Sequence, residues 1–216
     1  MSNFCILIPT VNRKDLLMEA LEYYVANYPE IDILILDNGQ QGIPQLAENV
    51  TIYESKENLG VARSWNYLLH KAILKGHKWF MVLNDDIVYK KNLNDIYRMM
   101  QKYDTNTFLQ PRPYYNWSIF LFHKSVYDKV GVFDPAFVRC FFEDNDYRYR
   151  MKLAGVNVRY EDELAPEVFR NSQTIEKNPL LGGYLENREY YLRKWGGLPD
   201  QEKFKIPFYD ETKDNG

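Results

Sequence analysis

The amino-acid sequence predicts an α/β protein built on a mostly parallel sheet flanked by helices. Two observations carry that prediction. Over the first 110 residues, short apolar runs alternate with longer segments of helical period, which is the pattern of βαβ units. Three of the apolar runs lead into polar groups, Thr10-Val11-Asn12-Arg13, Asp37-Asn38 and Asn84-Asp85-Asp86, and open α/β sheets gather their ligands beyond such strand ends.

Each element has its own warrant. Phe4 to Ile8 is a compact apolar run that Pro9 should stop, and Lys14 to Asn27 then places Leu17, Leu21, Tyr24 and Val25 at helical spacing. Ile31 to Leu36 is almost continuously aliphatic, as in a strand covered on both faces. Val50 to Tyr53 makes a weaker third strand. Gly60 opens a second helix carrying Trp65, Leu68, Leu69 and Ala72 on one side, and Gly76 closes it. Trp79 to Leu83 is a fourth strand that runs straight into Asn84-Asp85-Asp86. A helix over about Leu93 to Lys102 and a short strand at Thr107 to Leu109 complete this half.

Past Pro111 and Pro113 the pattern becomes irregular. Aromatic residues crowd Trp117 to Phe122, a turn follows at Gly131-Val132-Phe133-Asp134-Pro135, and Phe142 to Leu153 returns to helical spacing. Val156 to Tyr160 alternates like an exposed strand. A C-terminal helix through Tyr184, Leu185, Leu192 and Trp195 ends at Gly196-Gly197, leaving a polar tail from Asp210. No repeat, low-complexity stretch or linker divides the chain, so residues 1–216 read as a single domain with halves at 1–110 and 111–216.

Composition narrows the possible partners. With 27 Lys and Arg against 30 Asp and Glu the net charge is −3, which provides no basic excess for holding a nucleic-acid backbone. Cys5 and Cys140 cannot form a disulfide framework, and neither has zinc-ligand spacing. No apolar run is long enough to cross a bilayer, and the first residues lack the basic stretch of a signal peptide, so the expected location is cytoplasmic. His70, His77 and His123 match no ligand spacing and receive no role. The aromatic content of 16% is high, but Tyr24, Trp65, Trp79, Phe80 and Phe120 fall in periodic core patterns. That leaves Tyr114, Tyr115 and Trp117, in the proline-flanked segment, as the aromatics free to stack on a ligand.

Taken singly, each polar group also reads as a turn or helix cap. Their shared sheet edge favours a joint function. Adjacent carboxylates after a buried strand suit a hard divalent cation, Mn²⁺ or Mg²⁺, which takes one or two protein carboxylates and fills its shell with phosphate oxygens and water. Asn58-Leu59-Gly60-Val61-Ala62-Arg63 adds a glycine-opened helix N-terminus able to point amides at anions, with Arg63 nearby.

In order and spacing these segments resemble the family 2-like glycosyltransferases of the GT-A fold. The likeness runs through Ile6-Leu7-Ile8-Pro9-Thr10-Val11-Asn12-Arg13, Leu34-Ile35-Leu36-Asp37-Asn38-Gly39, Asn58-Leu59-Gly60, Val82-Leu83-Asn84-Asp85-Asp86, Gly131-Val132-Phe133-Asp134 and Glu143-Asp144-Asn145-Asp146. Lys194-Trp195-Gly196-Gly197 looks like the ending of small stand-alone members. The resemblance implies a nucleotide-sugar-binding first half and an acceptor-binding second half. Thr10, Asn12, Arg13 and Asp37 would hold the base, and Asn58, Gly60 and Arg63 would border ribose and diphosphate. Asn84-Asp85-Asp86 stands at the D-x-D position with Asn84 replacing the first Asp, so Asp86 would bind the metal and Asp85 would face ribose, sugar or metal water. Glu143 would lie on the acceptor side and Asp144 would be the general base. Arg170 stands where many members have a late histidine ligand, and could instead hold the diphosphate.

The implied activity is metal-dependent, inverting transfer of a sugar from a nucleotide sugar, UDP-linked by preference, to a glycan or glycoconjugate hydroxyl. A degenerate glycan- or nucleotide-binding module is one rival, favoured only if the acidic positions were broken. A nucleotidyltransferase is another, but it would carry a glycine- and lysine-rich loop where this chain has Pro9-Thr10-Val11-Asn12. A receiver domain would be shorter and would have an early acidic pair.

Overall fold

Phe4, Ile6 and Ile8 point to one face of the first strand, β1 (Phe4–Thr10), while Cys5 and Leu7 point to the other, and all five are buried. Such two-sided burial requires layers on both sides of a sheet. The computed structural model describes residues 3–112, 117–170 and 183–209. After β1 come α1 (Lys14–Asn27), β2 (Asp32–Asp37), β3 (Val50–Glu54), α2 (Val61–Leu74), β4 (Trp79–Leu83) and β5 (Ile87–Val88). The chain continues through α3 (Leu93–Lys102), β6 (Thr107–Gln110), β7 (Ile119–His123), α4 (Lys124–Val130), α5 (Glu143–Leu153), β8 (Asn157–Tyr160), β9 (Val168–Phe169) and α6 (Tyr184–Trp195).

The main sheet has seven strands in the order β3-β2-β1-β4-β7-β6-β8. β3, β2, β1 and β4 are parallel, β7 is antiparallel to both its neighbours, and β6 pairs with β8 in parallel. On one face Phe4, Ile6 and Ile8 of β1 pack with Leu17, Leu21 and Tyr24 of α1 and with Ile96 and Met99 of α3. On the other, Cys5 and Leu7 meet Ala62, Trp65, Leu68, Leu69 and Ala72 of α2. Each fully buried aliphatic or phenylalanine side chain in these layers contributes about 1.5–3 kcal/mol.

The short strands β5 and β9 and the helix α4 were not read from the sequence, and two strands of the main sheet depart from that reading. β1 continues through Pro9 to Thr10, because its pairing with β4 ends at Leu7–Val82, so the missing proline amide removes no bond on that side. The aromatic run after Trp117 is β7, a central strand between β4 and β6. It shows no alternation because both its faces are covered: Ile119, Phe120, Leu121 and Phe122 are all fully buried. α5 starts at Glu143, with Phe142 as its left-handed cap residue rather than its first turn. No helix of the described residues is long and apolar enough to cross a membrane.

Candidate active site at the sheet edge

Because β1, β2 and β4 are parallel, their carboxyl ends lie side by side, and Thr10 stands in register with Asp37. Thr10 Oγ1 donates to Asp85 Oδ2 at 2.7 Å, and the Val11 amide donates to the same oxygen at 3.3 Å. These bonds hold the Asp85 carboxylate in place at the edge. Asp86 is 2% exposed and follows directly.

Two cavities open along this edge. The smaller, about 120 Å³, is lined by Thr10, Asn38, Asn58, Gly60, Ser64 and Asp85 among others. The larger, about 570 Å³, carries Trp117, Glu143, Asp144, Tyr184 and Arg188. Val61, Asn84, Asp86 and Cys140 line both. Asp86 is thus the carboxylate shared by the two spaces.

Of the residues expected at the site, Thr10, Asn58, Gly60, Asn84, Asp85 and Asp86 meet at the smaller cavity, and Trp117, Glu143 and Asp144 at the larger. Four do not line either one. The Asp37 carboxylate accepts from the Gly39 amide (2.9 Å), the Gln41 amide (2.6 Å) and Gln41 Nε2 (3.0 Å), so it is engaged in shaping its own turn. Asn12 is exposed, in left-handed conformation (φ 55°), with its Oδ1 only 2.9 Å from where a Cβ on Gly39 would sit. Arg13 is buried and forks onto Asp15 at 3.0 and 3.1 Å. The Asp15 hydrogen bond, and then the charges of Asp15, Asp85 and Asp86, hold its guanidinium charged. Arg63 is exposed and donates to the Pro135 carbonyl. Its phase was readable in the sequence, since Ala62, Trp65 and Leu69 face the sheet and place Arg63 outside.

The start of α2 is also not the open anion site the sequence suggests. Gly60 N–H donates to Asn58 Oδ1 and Val61 N–H to the Arg139 carbonyl, so protein acceptors occupy both amides. Gly60 is required for this contact. Its φ is +76°, and a Cβ there would lie 2.8 Å from the N, Cα and O of Arg139.

The segment that reaches α2 is strained. Arg139, Phe141 and Phe142 all have positive φ (58°, 81° and 70°), a conformation that costs a non-glycine residue on the order of 1–3 kcal/mol. A fully buried Asn187 from α6 holds the segment. Its Oδ1 accepts from Val138 N–H, and its Nδ2 reaches the carbonyls of Val138, Cys140 and Phe141, all at 2.8–2.9 Å. Gly183 lets α6 approach, since a Cβ there would be 2.6 Å from the Val138 carbonyl. The strained segment delivers Cys140 to both cavities and Glu143 and Asp144 to the larger one. Asn187, Arg188, Ser64 and Arg139 carry no local sequence signal for these roles.

Electrostatics follow from burial. Glu143 is 5% exposed, its Oε2 has no hydrogen-bond partner among the described residues, and burial followed by the charge of Asp144 pushes its carboxyl well above the usual range. Burial also raises Asp144, against the Asn145 amide that bonds its Oδ1 at 2.8 Å. Burial, and then Glu143, push the Cys140 thiol up to about 12, so it is protonated at neutral pH. Trp117 packs among Trp65, Phe108, Phe120, Phe133 and Tyr147 with ring centroids 5.0–6.3 Å away, while part of it faces the larger cavity. Tyr114 and Tyr115 lie outside the described residues.

The sequence profile of glycosyl transferase family 2 matches residues 5–162. The chain belongs to that family. Two solved structures share the fold of this family 2 chain. The mannosyltransferase PcManGT from Pyrobaculum calidifontis, in complex with GDP-Man and Mn²⁺, is 14% identical with a TM-score of 0.58 over 79% of this chain. GalNAc-T7 with UDP, GalNAc and Mn²⁺ is 11% identical with a TM-score of 0.66 over 89%. The chain spans 58% of the first of those proteins and 48% of the second. No match is found among the curated proteins. The fold expected from the sequence, a GT-A type α/β sheet, is therefore the fold observed.

A divalent metal at this edge would need oxygen donors from the chain. Among the described residues no group of three or more His, Cys, Asp or Glu side chains could enclose one. Arg170 lines neither cavity, and its Nη2 pairs with Glu19 at 2.5 Å. The carboxylates at the edge are Asp85, whose Oδ2 accepts from Thr10 and Val11, and the buried Asp86 on the wall of both cavities. That donor set fits an ion such as Mn²⁺ or Mg²⁺, whose shell is completed by substrate phosphate and water.

Proposed function

We propose that this family 2 chain is an inverting glycosyltransferase that moves a sugar from a nucleotide sugar, UDP-linked by preference, to a hydroxyl of a glycan or glycoconjugate. The observation that carries the reading is the position of Asp86 and Asn84 on the walls of both cavities, with the acid pair in the larger one. The smaller cavity falls well below the roughly 300–1,000 Å³ of a typical ligand pocket, so a whole nucleotide sugar has to span both spaces. Asn38, Asn58 and Ser64 border the base and ribose end. Asp86 would hold a divalent cation, which would supply Lewis-acid stabilisation of the charge left on the departing phosphate.

Asp144 is the general base. Its carboxyl, raised by burial, is matched to taking a proton from the acceptor hydroxyl as that oxygen attacks the anomeric carbon, a contribution of about 10²- to 10⁴-fold. A single displacement inverts the anomeric centre. Glu143 lies beside it and lowers the charge density of the pair by retaining its own proton. The UDP preference rests on the family resemblance at Asp37, whose part is to hold the turn beside the base.

The competing reading, a binding module without turnover, is favoured by Asn84 and by the lack, among the described residues, of a group of three metal-ligating side chains. A screen of UDP, GDP and dTDP sugars with Mn²⁺ separates the two. The bound nucleotide stabilises the fold by about 2.7 kcal/mol at 100 times its Kd. Release of free nucleoside diphosphate then marks an enzyme, and binding without release marks a module.

A further inference from the structure

Arg188 is half-buried on α6, lines the larger cavity, and makes no hydrogen bond or ion pair among the described residues. No carboxylate of the described residues pairs with it. Asp144 draws on Arg148, while the buried Asp146 is bound by Arg150 (2.8 Å) and Lys194 (2.6 Å). A partly desolvated guanidinium without a carboxylate costs free energy unless a ligand supplies the anion. The helix that carries it is held firmly: Asn187, the preceding residue, makes the four hydrogen bonds to the 138–141 segment, and Gly183 is in close contact with the Val138 carbonyl. Arg188 is therefore presented from a rigid element.

The cavity otherwise bears the acids Asp86 and Asp144 and the proton-retaining Glu143, with aromatic walls at Trp117, Phe142 and Tyr184. Aromatic faces and carboxylates suffice to hold a neutral sugar. A negatively charged acceptor would be repelled by those acids unless a cation faced it.

Building on the acceptor-side reading of this cavity, we propose that Arg188 anchors an anionic group on the acceptor, either a carboxylate or a phosphate. The planar guanidinium fork binds both groups bidentately. The acceptor is then an acidic glycan or a glycan phosphate, with its reactive hydroxyl at Asp144 and its anion at Arg188.

The test is a glycan microarray with neutral, uronate-bearing and phosphate-bearing acceptors, probed with the whole protein in UDP and Mn²⁺. Wild type, Arg188→Ala, Arg188→Gln and Arg188→Lys are compared, and the UDP affinity of each preparation is measured by calorimetry. Because Arg188 makes no hydrogen bond or ion pair within the described residues, the variants are expected to fold. Wild type should retain anionic glycans over neutral ones. Ala and Gln should lose that retention by about tenfold or more, and Lys by less, with UDP affinity unchanged. Whether uronates or phosphates are retained identifies the anion. Retention of neutral glycans, equal retention by Arg188→Ala, or no retention at all overturns the proposal. A loss of UDP affinity in Arg188→Ala also overturns it, by assigning the residue to the donor. If wild type binds no nucleotide in the donor screen, the underlying transferase reading fails, and the acceptor assignment falls with it.

Discussion

Thr10 donates its hydroxyl to Asp85 at 2.7 Å, tying the ends of β1 and β4 together across 75 positions of chain. Asp85 is 6% exposed, so the loss of a donor there is not made good by bulk water. Thr10→Val keeps the strand and removes that bond. It is expected to cost about 1–3 kcal/mol in a urea melt and to weaken nucleotide binding, whereas Thr10→Ser keeps both near wild type.

Gly60→Ala probes the contact between α2 and Arg139. The new Cβ meets the Arg139 backbone at 2.8 Å, and the residue must also keep a φ of +76°. A loss of about 2 kcal/mol or more is expected. Movement of residue 139 also displaces Cys140 and the acid pair, so turnover should fall in the fraction that remains folded. An unchanged melting temperature would show that the close approach does not exist in solution.

Glu143→Gln tests the buried acid. Its folded-state pKa lies well above the ordinary value near 4.5, so between those two values the unfolded chain has released a proton that the folded chain retains. Wild-type stability therefore declines as pH rises from about 4.5 towards the raised value, and a glutamine escapes that decline. The variant should match wild type below about pH 4. At pH 7–8 it should be more stable by on the order of 1 kcal/mol, or about 2–4 °C in melting temperature. A variant less stable than wild type at pH 8 would mean that Glu143 is charged and paired.

Asp144→Asn removes the proton acceptor and leaves the shape of the side chain. Transfer from the donor found in the nucleotide screen should fall by about 10²- to 10⁴-fold, with nucleotide affinity unchanged. Loss of both, or of neither, places the base elsewhere.

Local sequence carried β1 to β4, β6 and β8, the helices α1, α2, α3, α5 and α6, and the three polar strand ends, because each depends on period or on residues adjacent in the chain; β5, β7, β9 and α4 were not legible in it. Asp85 and Asp86 were legible for that reason: they follow a run of five buried residues, Trp79 to Leu83. The contacts that complete the site are long-range. Gly60 meets Arg139, Asn38 Nδ2 donates to Ser64, and Asn187 holds a segment nearly fifty residues away, pairings that leave no periodic trace. Asp37 shows the limit from the other side. Both its turn role and its ligand role were readable in Asp37-Asn38-Gly39, and only the structure reveals its oxygens bonded within the turn.

Asp86 is the proposed metal-holding carboxylate between donor and acceptor spaces. Calorimetry of UDP with and without Mn²⁺, on wild type and Asp86→Ala, tests this most directly. Mn²⁺ should raise wild-type affinity for UDP by at least about tenfold, a gain of about 1.4 kcal/mol, and Asp86→Ala should bind metal-free UDP normally but show no gain. Equal wild-type affinity with and without Mn²⁺, or a gain that survives Asp86→Ala, would contradict the account.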